Sequence, residues 1–495
     1  MLSPDLDTVR ERLDDEHSRV PVYDTFVSDT LTPVSAYLNL TGGAEQAGFL
    51  LESVEQGQQI ARYSFLGMEP AGEIIWENDD YTVSGDLSVE NPSTPFELLD
   101  QVIRDWSTPT PEPLPDFTGG LVGYVGYETV HYIEPSVPVK SPTKEYSFPD
   151  LHLYLVDKLI VFDHVKRTVY VVSHVENDGD VAQSYRKAEQ DIQDLVERLR
   201  TNRDAPPVRS TSAPVNERLR SNFTPEDYEE AVRSIKESIR AGEIFQAVLS
   251  QRLSIRDENH PFNLYRCLRS LNPSPYMFYL DFEEYQLVGS SPEILAQKEA
   301  QQIRVRPIAG TRRRGETPRE DQELAEELLS DEKERAEHTM LVDLGRNDLG
   351  RVSQSGTVEV TEREVIERYS HVMHMVSNVE GKLKSDDNVV DVLKATFPAG
   401  TVTGAPKVRA MQIIEDLEPD RRGPYAGAVG YISFQRNMDT CIVIRTIARE
   451  NDQLHIQAGA GVVADSEPAR EYEETREKAR ALVQTVEELE EKSFI

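Results

Sequence analysis

The chain has 495 residues, enough for two sizeable domains or one large intertwined unit. Its 88 acidic residues against 53 basic ones give a net charge of −35, which argues against nucleic acid or an anionic membrane as the main partner. Only 14 of the basic residues are Lys. An acidic surface with few lysines is typical of a protein that works in a very salty (halophilic) cytoplasm, although an ordinary acidic enzyme also fits.

The cysteines and the N-terminus indicate a cytoplasmic protein. Cys267 and Cys441 form no CxxC pair and no cluster, so a disulfide framework is not expected. The first residues, MLSPDLDTVRERLDDEHS, have neither a basic segment nor an apolar one, so we expect no secretory signal. No stretch approaches the roughly 20 apolar residues that would span a bilayer.

The first part of the chain, over residues 20–175, predicts a β-rich region. Short apolar runs are separated there by Gly, Asp and Asn turns. The clearest predicted strands are GFLLES (48–53), RYSFLG (62–67), GGLVGYVGYE (119–128) and HLYLVDKLIVFDH (152–164). A helix should follow over 181–199, where apolar residues recur every three or four positions.

A polar, proline-bearing stretch then indicates a linker at residues 206–221, which divides the chain into an N-terminal domain, 1–205, and a second domain, 222–495. The second domain should open with a helix that Thr224 caps and that ends at Gly242. Strands and helices then mix without strict alternation. We therefore predict an α+β fold: a large two-part β-sandwich core with flanking helices.

Two pairs of glutamates are the first candidates for chemistry. Glu471 and Glu474 lie three residues apart in the segment 454–474, and Glu334 and Glu337 have the same spacing. Each pair would share one helix face, where carboxylates can hold a hard cation such as Mg²⁺. In so acidic a chain such pairs also arise by chance as solvated faces, so the spacing alone leaves both readings open.

Three further features carry polar groups in unusual surroundings. His371 and His374 are candidates for a general acid or base, or for structural histidines. The turn at Gly310 and Thr311 offers backbone N–H groups and a hydroxyl to a carboxylate, unless it is a basic surface loop. Arg445 lies in the apolar run CIVIRTIA (441–448) and should meet an anion, either a ligand or an internal carboxylate.

Two glycines, Gly459 and Gly461, lie at the end of a predicted strand, where a ligand can approach the backbone closely. With Ala464 they form GxGxxA, a dinucleotide pattern. That pattern requires a helix that opens at the glycines, and here Pro468 sets the helix start later. A dinucleotide site is therefore disfavoured.

Taken together, several ordered motifs resemble the chorismate-utilising enzymes, and most closely their anthranilate-forming branch. The resemblance covers nearly the whole chain from about residue 20. The motifs are GEIFQAVLSQR (242–252), NPSPYMFYL (272–280), GSSPE (289–293), PIAGT (307–311), AEHTMLVDLGRND (336–348), FPAGTVTGAPKVRAM (397–411) and GAGVVADSEPAREYEE (459–474).

The resemblance implies a Mg²⁺-dependent lyase of tryptophan biosynthesis that converts chorismate and ammonia to anthranilate and pyruvate. It implies metal binding by Glu337 and Glu474, with Glu334 and Glu471 beside them, and general acid/base catalysis by His374 with Thr311 at the catalytic centre. The residues implied in substrate binding are Gly310, Thr311, Tyr425, Arg445, Gly459 and Gly461.

Sister enzymes of the family make other products. Salicylate and isochorismate synthases resemble this chain but carry a lysine where it has Gln246, and aminodeoxychorismate synthases carry one where it has Ala309. The absence of both lysines favours ammonia as the nucleophile, with the sister activities as the alternative.

The resemblance also implies regulation and a partner. L-tryptophan would inhibit by binding at Glu52, Ser53, Pro275, Tyr276 and Met277. Neither cysteine lies in a glycine-rich nucleophile turn, so ammonia should come from a separate glutamine amidotransferase subunit (component II).

Overall fold

The structure, a computed structural model, describes residues 2–13, 17–53, 62–85, 87–104, 106–109, 112–143, 146–177, 179–209, 213–369 and 372–491. The helices in these ranges are α1 (Leu6–Arg12), α2 (Pro33–Leu40), α3 (Pro95–Ile103), α4 (Val130–Ile133), α5 (Val181–Arg200), α6 (Val215–Arg218), α7 (Pro225–Arg240), α8 (Pro261–Leu271), α9 (Pro318–Ser330), α10 (Glu332–Val352), α11 (Val389–Thr396), α12 (Lys407–Leu417) and α13 (Pro468–Glu491). Short 3₁₀ turns lie at Tyr127–Thr129 and Gly400–Val402.

The strands are β1 (Arg19–Val27), β2 (Gly48–Glu52), β3 (Tyr63–Met68), β4 (Gly72–Glu77), β5 (Asp80–Val83), β6 (Gly120–Val125), β7 (Leu151–Val156), β8 (Leu159–Asp163), β9 (Thr168–Glu176), β10 (Arg220–Ser221), β11 (Gln246–Arg256), β12 (Tyr276–Asp281), β13 (Tyr285–Ser291), β14 (Ile294–Glu299), β15 (Gln302–Val305), β16 (Ile308–Arg313), β17 (Glu359–Arg368), β18 (Val372–Lys382), β19 (Gly404–Ala405), β20 (Ala428–Ser433), β21 (Met438–Ile442), β22 (Thr446–Glu450) and β23 (Gln453–Val462).

These strands form two large antiparallel sheets. The first has the order β1-β9-β8-β3-β2-β12-β13-β22-β23-β11-β10, with β19 also paired to β11. The second has the order β16-β18-β15-β14-β21-β20-β6-β7-β4-β5, with β17 also paired to β18. Each sheet is a patchwork of sequence-distant strands, so its register depends on tertiary contacts rather than on short hairpins.

Both sheets take strands from each side of the predicted linker. In the first sheet β2 pairs with β12, and Glu52 lies opposite Met277. In the second sheet β6 pairs with β20, and Gly123 lies opposite Gly430. The predicted linker itself contains α6 and β10. The boundary at residues 206–221 stays a prediction, and the sheets join the two halves of the chain into shared layers.

The core lies between the two sheets and between each sheet and its helices. Phe49 and Phe278 of the first sheet and Tyr124 and Val429 of the second belong to one buried cluster, which fills the space between the sheets. The outer face of the first sheet packs on α2, α5, α8 and α13, and that of the second on α3, α10 and α11. The predicted α+β sandwich with flanking helices is confirmed.

Most of the individually predicted elements form with small shifts at their ends. Three of the predicted strands correspond to β2, β3 and β6, and the two predicted helices correspond to α5 and α7. The prediction of one strand over 152–164 is wrong. The run is split at Asp157 and Lys158 into β7 and β8, which belong to different sheets. Both strands are buried throughout, so their apolar pattern carried no sign of the split.

No helix within the described ranges is long and apolar enough to cross a bilayer. The prediction of a highly salty working environment stays a prediction.

A buried ionic network joins the halves of the chain near the site. Arg422 is fully buried and donates to Glu418 at 2.7 and 2.9 Å, and to the carbonyl oxygens of Val402 (2.7 Å) and Val248 (2.8 Å). The Glu128 carboxylate, from the N-terminal half, accepts from the backbone N–H of Arg422 at 2.7 Å. Because nearly every polar group here has a partner, the burial of these charges is compensated.

Replacement of Glu128 by Ala should lower the free energy of unfolding by about 3–5 kcal/mol, because it leaves the buried backbone N–H groups of Arg422 and Gly423 without their acceptor and removes one of the carboxylates paired with the Arg421 guanidinium. Urea unfolding at constant KCl measures this. The control is Glu299→Ala, at an exposed carboxylate, which should change stability by no more than about 0.5 kcal/mol. A loss below about 1 kcal/mol at Glu128 would contradict the role given to the network.

Candidate active site

Two helices present the predicted glutamate pairs. α10 begins at Glu332, because the Asp331 side chain accepts from the backbone N–H groups of Lys333 and Glu334 at 3.0 and 3.2 Å. α13 begins at Pro468, so Glu471 lies in its first turn and Glu474 follows on the same face. Each pair thus projects from the first turns of a helix.

The same two lysines influence one glutamate of each pair. Burial raises the pKa of Glu337, and the Glu334 carboxylate raises it further. Burial likewise raises the pKa of Glu471, with Glu474 adding to the rise. The same two lysines, Lys333 of α10 and Lys478 of α13, act on both carboxylates in the opposite direction.

These carboxylates have the donor chemistry of a Mg²⁺ site, because Mg²⁺ prefers hard oxygen ligands. A divalent cation would also reduce the repulsion between the neighbouring carboxylates. Within the described part of the chain, however, no three His, Cys, Asp or Glu side chains are gathered closely enough to form a metal-holding group. Lys478 occupies part of this space. Its ammonium group lies 2.9 Å from a Glu474 oxygen and donates to the Gly459 carbonyl at 3.0 Å. The fit is therefore one of donor type and placement on facing helices, and the predicted ligand set stays a prediction.

His374 is held by the neighbouring strand. β16 pairs with β18 so that Thr311 lies opposite His374, and the His374 Nδ1 lies 3.0 Å from the Thr311 hydroxyl and 3.2 Å from the Gly310 carbonyl oxygen. A carbonyl only accepts, so in this arrangement Nδ1 carries the hydrogen and Nε2 is left as a proton acceptor. Burial lowers the pKa of His374 to about 4. The ring is neutral near pH 7 and suited to accept a proton. His371 lies outside the described residues.

Gly310 of β16 allows this strand to lie close to α10. Its φ of +68° lies in the left-handed region, and a Cβ atom there would lie 2.8 Å from Leu328 Cδ1 and 3.1 Å from Glu334 Oε2. Only glycine lets the turn approach the first glutamate pair this closely. His374, Gly310 and Glu334 are therefore parts of one site.

Arg445 is the unpaired cation of the site. The structure corrects its predicted position inside a strand: the apolar run breaks between β21 and β22, and Arg445 has a φ of +50°. Burial lowers the pKa of its guanidinium, and Glu293 is the first charge that opposes this. The guanidinium makes no ion pair or hydrogen bond with any residue that the structure describes.

Gly459 and Gly461 lie within β23, and α13 opens only at Pro468, so the dinucleotide interpretation has no helix at the glycines. A Cβ on Gly459 would lie 2.8 Å from the Tyr425 hydroxyl, and one on Gly461 would lie 2.6 Å from Gln246 Nε2. Gln246 in turn donates to Glu337 at 3.4 Å. Because the two glycines have no side chains, Tyr425 and Gln246 can approach the β23 backbone closely, and Gln246 connects this backbone to Glu337.

Comparison with known proteins identifies this arrangement. The profile of the chorismate binding enzymes matches residues 46–484. The chain belongs to the chorismate-binding enzyme family. It is 46% identical over 492 residues to anthranilate synthase component 1 of Aquifex aeolicus (strain VF5), and the match covers 99% of both chains. The predicted resemblance to the chorismate-utilising enzymes is confirmed.

Solved structures agree with this chorismate-binding fold. The crystal structure of anthranilate synthase component I from Streptococcus pneumoniae TIGR4 superposes with a TM-score of 0.76 at 37% identity and covers 92% of this chain and 98% of that one. The menaquinone-specific isochorismate synthase of Escherichia coli has a TM-score of 0.69 at 20% identity over 97% and 98% of the two chains. At that identity the second match speaks for the fold alone.

The predicted inhibitor residues of this chorismate-binding chain meet across the β2–β12 pair, but they point to different sides. Glu52 is buried and already occupied, since Arg269 donates to it at 2.8 and 3.1 Å and the Tyr265 hydroxyl at 2.5 Å. The Ser53 hydroxyl is buried with no hydrogen-bond partner among the described residues. Pro275 is buried, Met277 is buried opposite Glu52, and the Tyr276 hydroxyl donates to Asp439 at 2.8 Å.

Sequence reasoning missed two charged residues that lie beside the candidate residues. Glu293, the last residue of GSSPE, is buried, and burial raises its pKa to about 7 against the lowering effects of Thr401 and Arg445. The motif was visible, but nothing in it marked the carboxyl as buried. Lys478 could have been found, because it follows Glu471 and Glu474 at helical spacings of seven and four residues.

The raised pKa of Glu293 predicts how stability depends on pH. The pKa rises from 4.5 in the unfolded chain to about 7, so the native state holds the proton longer, and this carboxyl costs stability as the pH rises from about 4.5 through 7. Glu293→Gln should have little effect at pH 4.5 and should stabilise by on the order of 3 kcal/mol at pH 8. Denaturant unfolding across this range measures the difference, with Glu299→Gln as the exposed control. A difference that does not change with pH would contradict the buried, protonated state.

Proposed function

We propose that this chain is the synthase component of anthranilate synthase, which converts chorismate and ammonia to anthranilate, pyruvate and water. The observation that carries the proposal is the side chain at position 246, together with near full-length identity to proteins of that name. Gln246 lies against Glu337 where water-activating sister enzymes are expected to carry lysine. An amide cannot take a proton from water, whereas ammonia needs no activation before it attacks.

The substrate's two carboxylates would be bound at two places in the site, one at Arg445 and the other beside the metal. Arg445, whose guanidinium makes no ion pair or hydrogen bond with the described residues, would bind the enolpyruvyl carboxylate. The ring carboxylate would approach the bare backbone at Gly459 and Gly461, close to the glutamates. Mg²⁺ would be held by Glu337 and Glu474, with Glu334 and Glu471 beside them, and when bound it would neutralise and orient that ring carboxylate.

Two proton transfers would follow from the two perturbed side chains. Glu293 is half protonated near pH 7, so it can donate a proton to the 4-hydroxyl as ammonia adds to the ring and the hydroxyl leaves as water. His374 is neutral, and its free Nε2 can accept the ring proton as pyruvate is eliminated and the ring becomes aromatic. Thr311 and Gly310 orient the imidazole for this step.

The decisive experiment is turnover by the purified chain. With chorismate, Mg²⁺ and ammonium at high KCl it should form anthranilate, seen by fluorescence and mass, whereas glutamine should not replace ammonium because no glutaminase site was found in the sequence. Chelation of the metal should abolish the activity, and added Mg²⁺ should restore it.

The site assignment has its own control. His374→Ala should lower kcat about 10²–10⁴-fold with the fold intact, because the proton acceptor is lost. Another product, such as isochorismate or aminodeoxychorismate, would refute the proposed reaction. Glutamine-dependent turnover by the single chain would refute the proposed need for a separate glutamine amidotransferase subunit.

We further propose that L-tryptophan inhibits this enzyme through the β2–β12 region. The support is the buried Ser53 hydroxyl, which has no hydrogen-bond partner among the described residues and directly follows β2, at a junction of strands from the two halves of the chain. A ligand there could bias the arrangement of the halves.

Ser53→Ala should raise the tryptophan concentration for half-inhibition at least several-fold without changing kcat, because the hydroxyl makes no hydrogen bond with the described residues and lies outside the proposed catalytic centre. The control is the exposed Ser270→Ala, which should leave inhibition unchanged. Wild-type activity that is unaffected by millimolar tryptophan would rule out the inhibitor site.

A further inference from the structure

A narrow crevice leads into the molecule beside Glu293. It lies between the second half of α10, the ends of β14 and β15, and the loop that precedes the 3₁₀ turn at Gly400–Val402. Its walls include Leu341 and Leu344 of α10 and Ile442 of β21. Glu293 and Thr401 also line the crevice. The crevice therefore reaches the buried carboxyl group of Glu293.

The size of the crevice restricts what can pass. Its volume is about 40 Å³, and a water-sized molecule needs roughly 10–15 Å³ on this measure, so the space holds on the order of three such molecules. Cavities that hold drug-sized ligands are about 300–1,000 Å³. The crevice therefore excludes a ring acid such as chorismate and admits ammonia.

One face of α10 connects the crevice with the predicted metal site. Glu337, Leu341, Leu344 and Asp348 recur at intervals of four, three and four residues, which places them along a single stripe of the helix. The crevice thus begins one turn beyond the glutamate pair. A small nucleophile that follows it would arrive at the reacting ring from a side that chorismate does not use.

Asp348 is a polar group that this crevice leaves unsatisfied. It is 6% exposed and lines the crevice. Its Oδ2 accepts from the Lys407 ammonium at 2.9 Å, but its Oδ1 is buried and has no hydrogen-bond partner in the described part of the chain. A buried carboxylate oxygen of this kind costs free energy unless it receives an N–H or O–H donor.

We propose that this crevice is the entry path for ammonia and that Asp348 is the group that accepts it by a hydrogen bond. The inference rests on the proposed function. It also accounts for the loop FPAGTVTGAPK, which resembles a phosphate loop in composition: Ala399, Gly400 and Thr401 of this loop line the path, and Lys407 positions Asp348.

The test is steady-state kinetics with ammonium chloride as the varied substrate and the full-length chain. Leu344→Trp places a bulky side chain in the crevice wall and should raise the KM for ammonia about tenfold, while the KM for chorismate and kcat at saturating ammonia stay within about twofold. Asp348→Asn should raise the same KM, because the anionic acceptor is lost. Asn347→Trp adds the same bulk at the neighbouring exposed position of α10 and should change neither KM.

The outcomes separate the two proposals. If the wild type forms no anthranilate, the proposed function fails, and this inference fails with it. If the wild type is active and the KM for ammonia is unchanged in folded Leu344→Trp and in Asp348→Asn, the entry path is overturned and the proposed function stands. Should Leu344→Trp fail to fold, Leu344→Phe takes its place under the same criterion. An equal rise in both KM values would also overturn the inference, since it would place Leu344 in the chorismate site.

Discussion

Two adjacent arginines buried against carboxylates from both halves of the chain hold the molecule in its working arrangement. Arg422 is bound by Glu418 and by backbone carbonyls on β11 and on the Gly400–Val402 turn, and Arg421 is bound by Glu128 and Asp150. Burial of two guanidinium groups is costly, and the geometry offsets that cost because nearly every polar group has a partner. The network therefore couples the N-terminal strands to the elements around Tyr425 and the crevice.

The sandwich that this network closes is what makes an electrostatically unbalanced site possible. Around the site the Arg445 guanidinium has no hydrogen-bonded anion among the described residues, burial raises the pKa of Glu293 to about 7, and carboxylates crowd one another on two helices. Each of these costs stability in the unliganded protein. Under the proposed function, these groups would together bind a dianionic substrate and a divalent cation. The shared sheets offset that cost, because the apolar surface that both halves bury in common layers stabilises the fold.

Much of the local structure was predictable from residue patterns. The helices at α5 and α7 follow from apolar spacing and from their capping residues, and strands such as β2 and β3 follow from short apolar runs between turns. The run 152–164 was misread, because two fully buried strands that leave for different sheets have the same composition as one long strand. The glutamate pairs, His374 and Arg445 could be singled out from the sequence by their spacing or by the apolar residues around them. Their protonation states were not, since burial and neighbours set a pKa.

The sequence by itself determined the family, the element types and most of the candidate residues, because motifs, caps and apolar periods are local properties that a linear chain displays. The tertiary structure was needed to show which strands pair across the two halves, that Glu293 and Lys478 lie beside the candidate residues, that the Arg445 guanidinium makes no ion pair or hydrogen bond with the described residues, and that a narrow crevice ends beside Glu293. These depend on contacts between residues tens to hundreds of positions apart, and no local pattern encodes such a distance, a burial or an empty space.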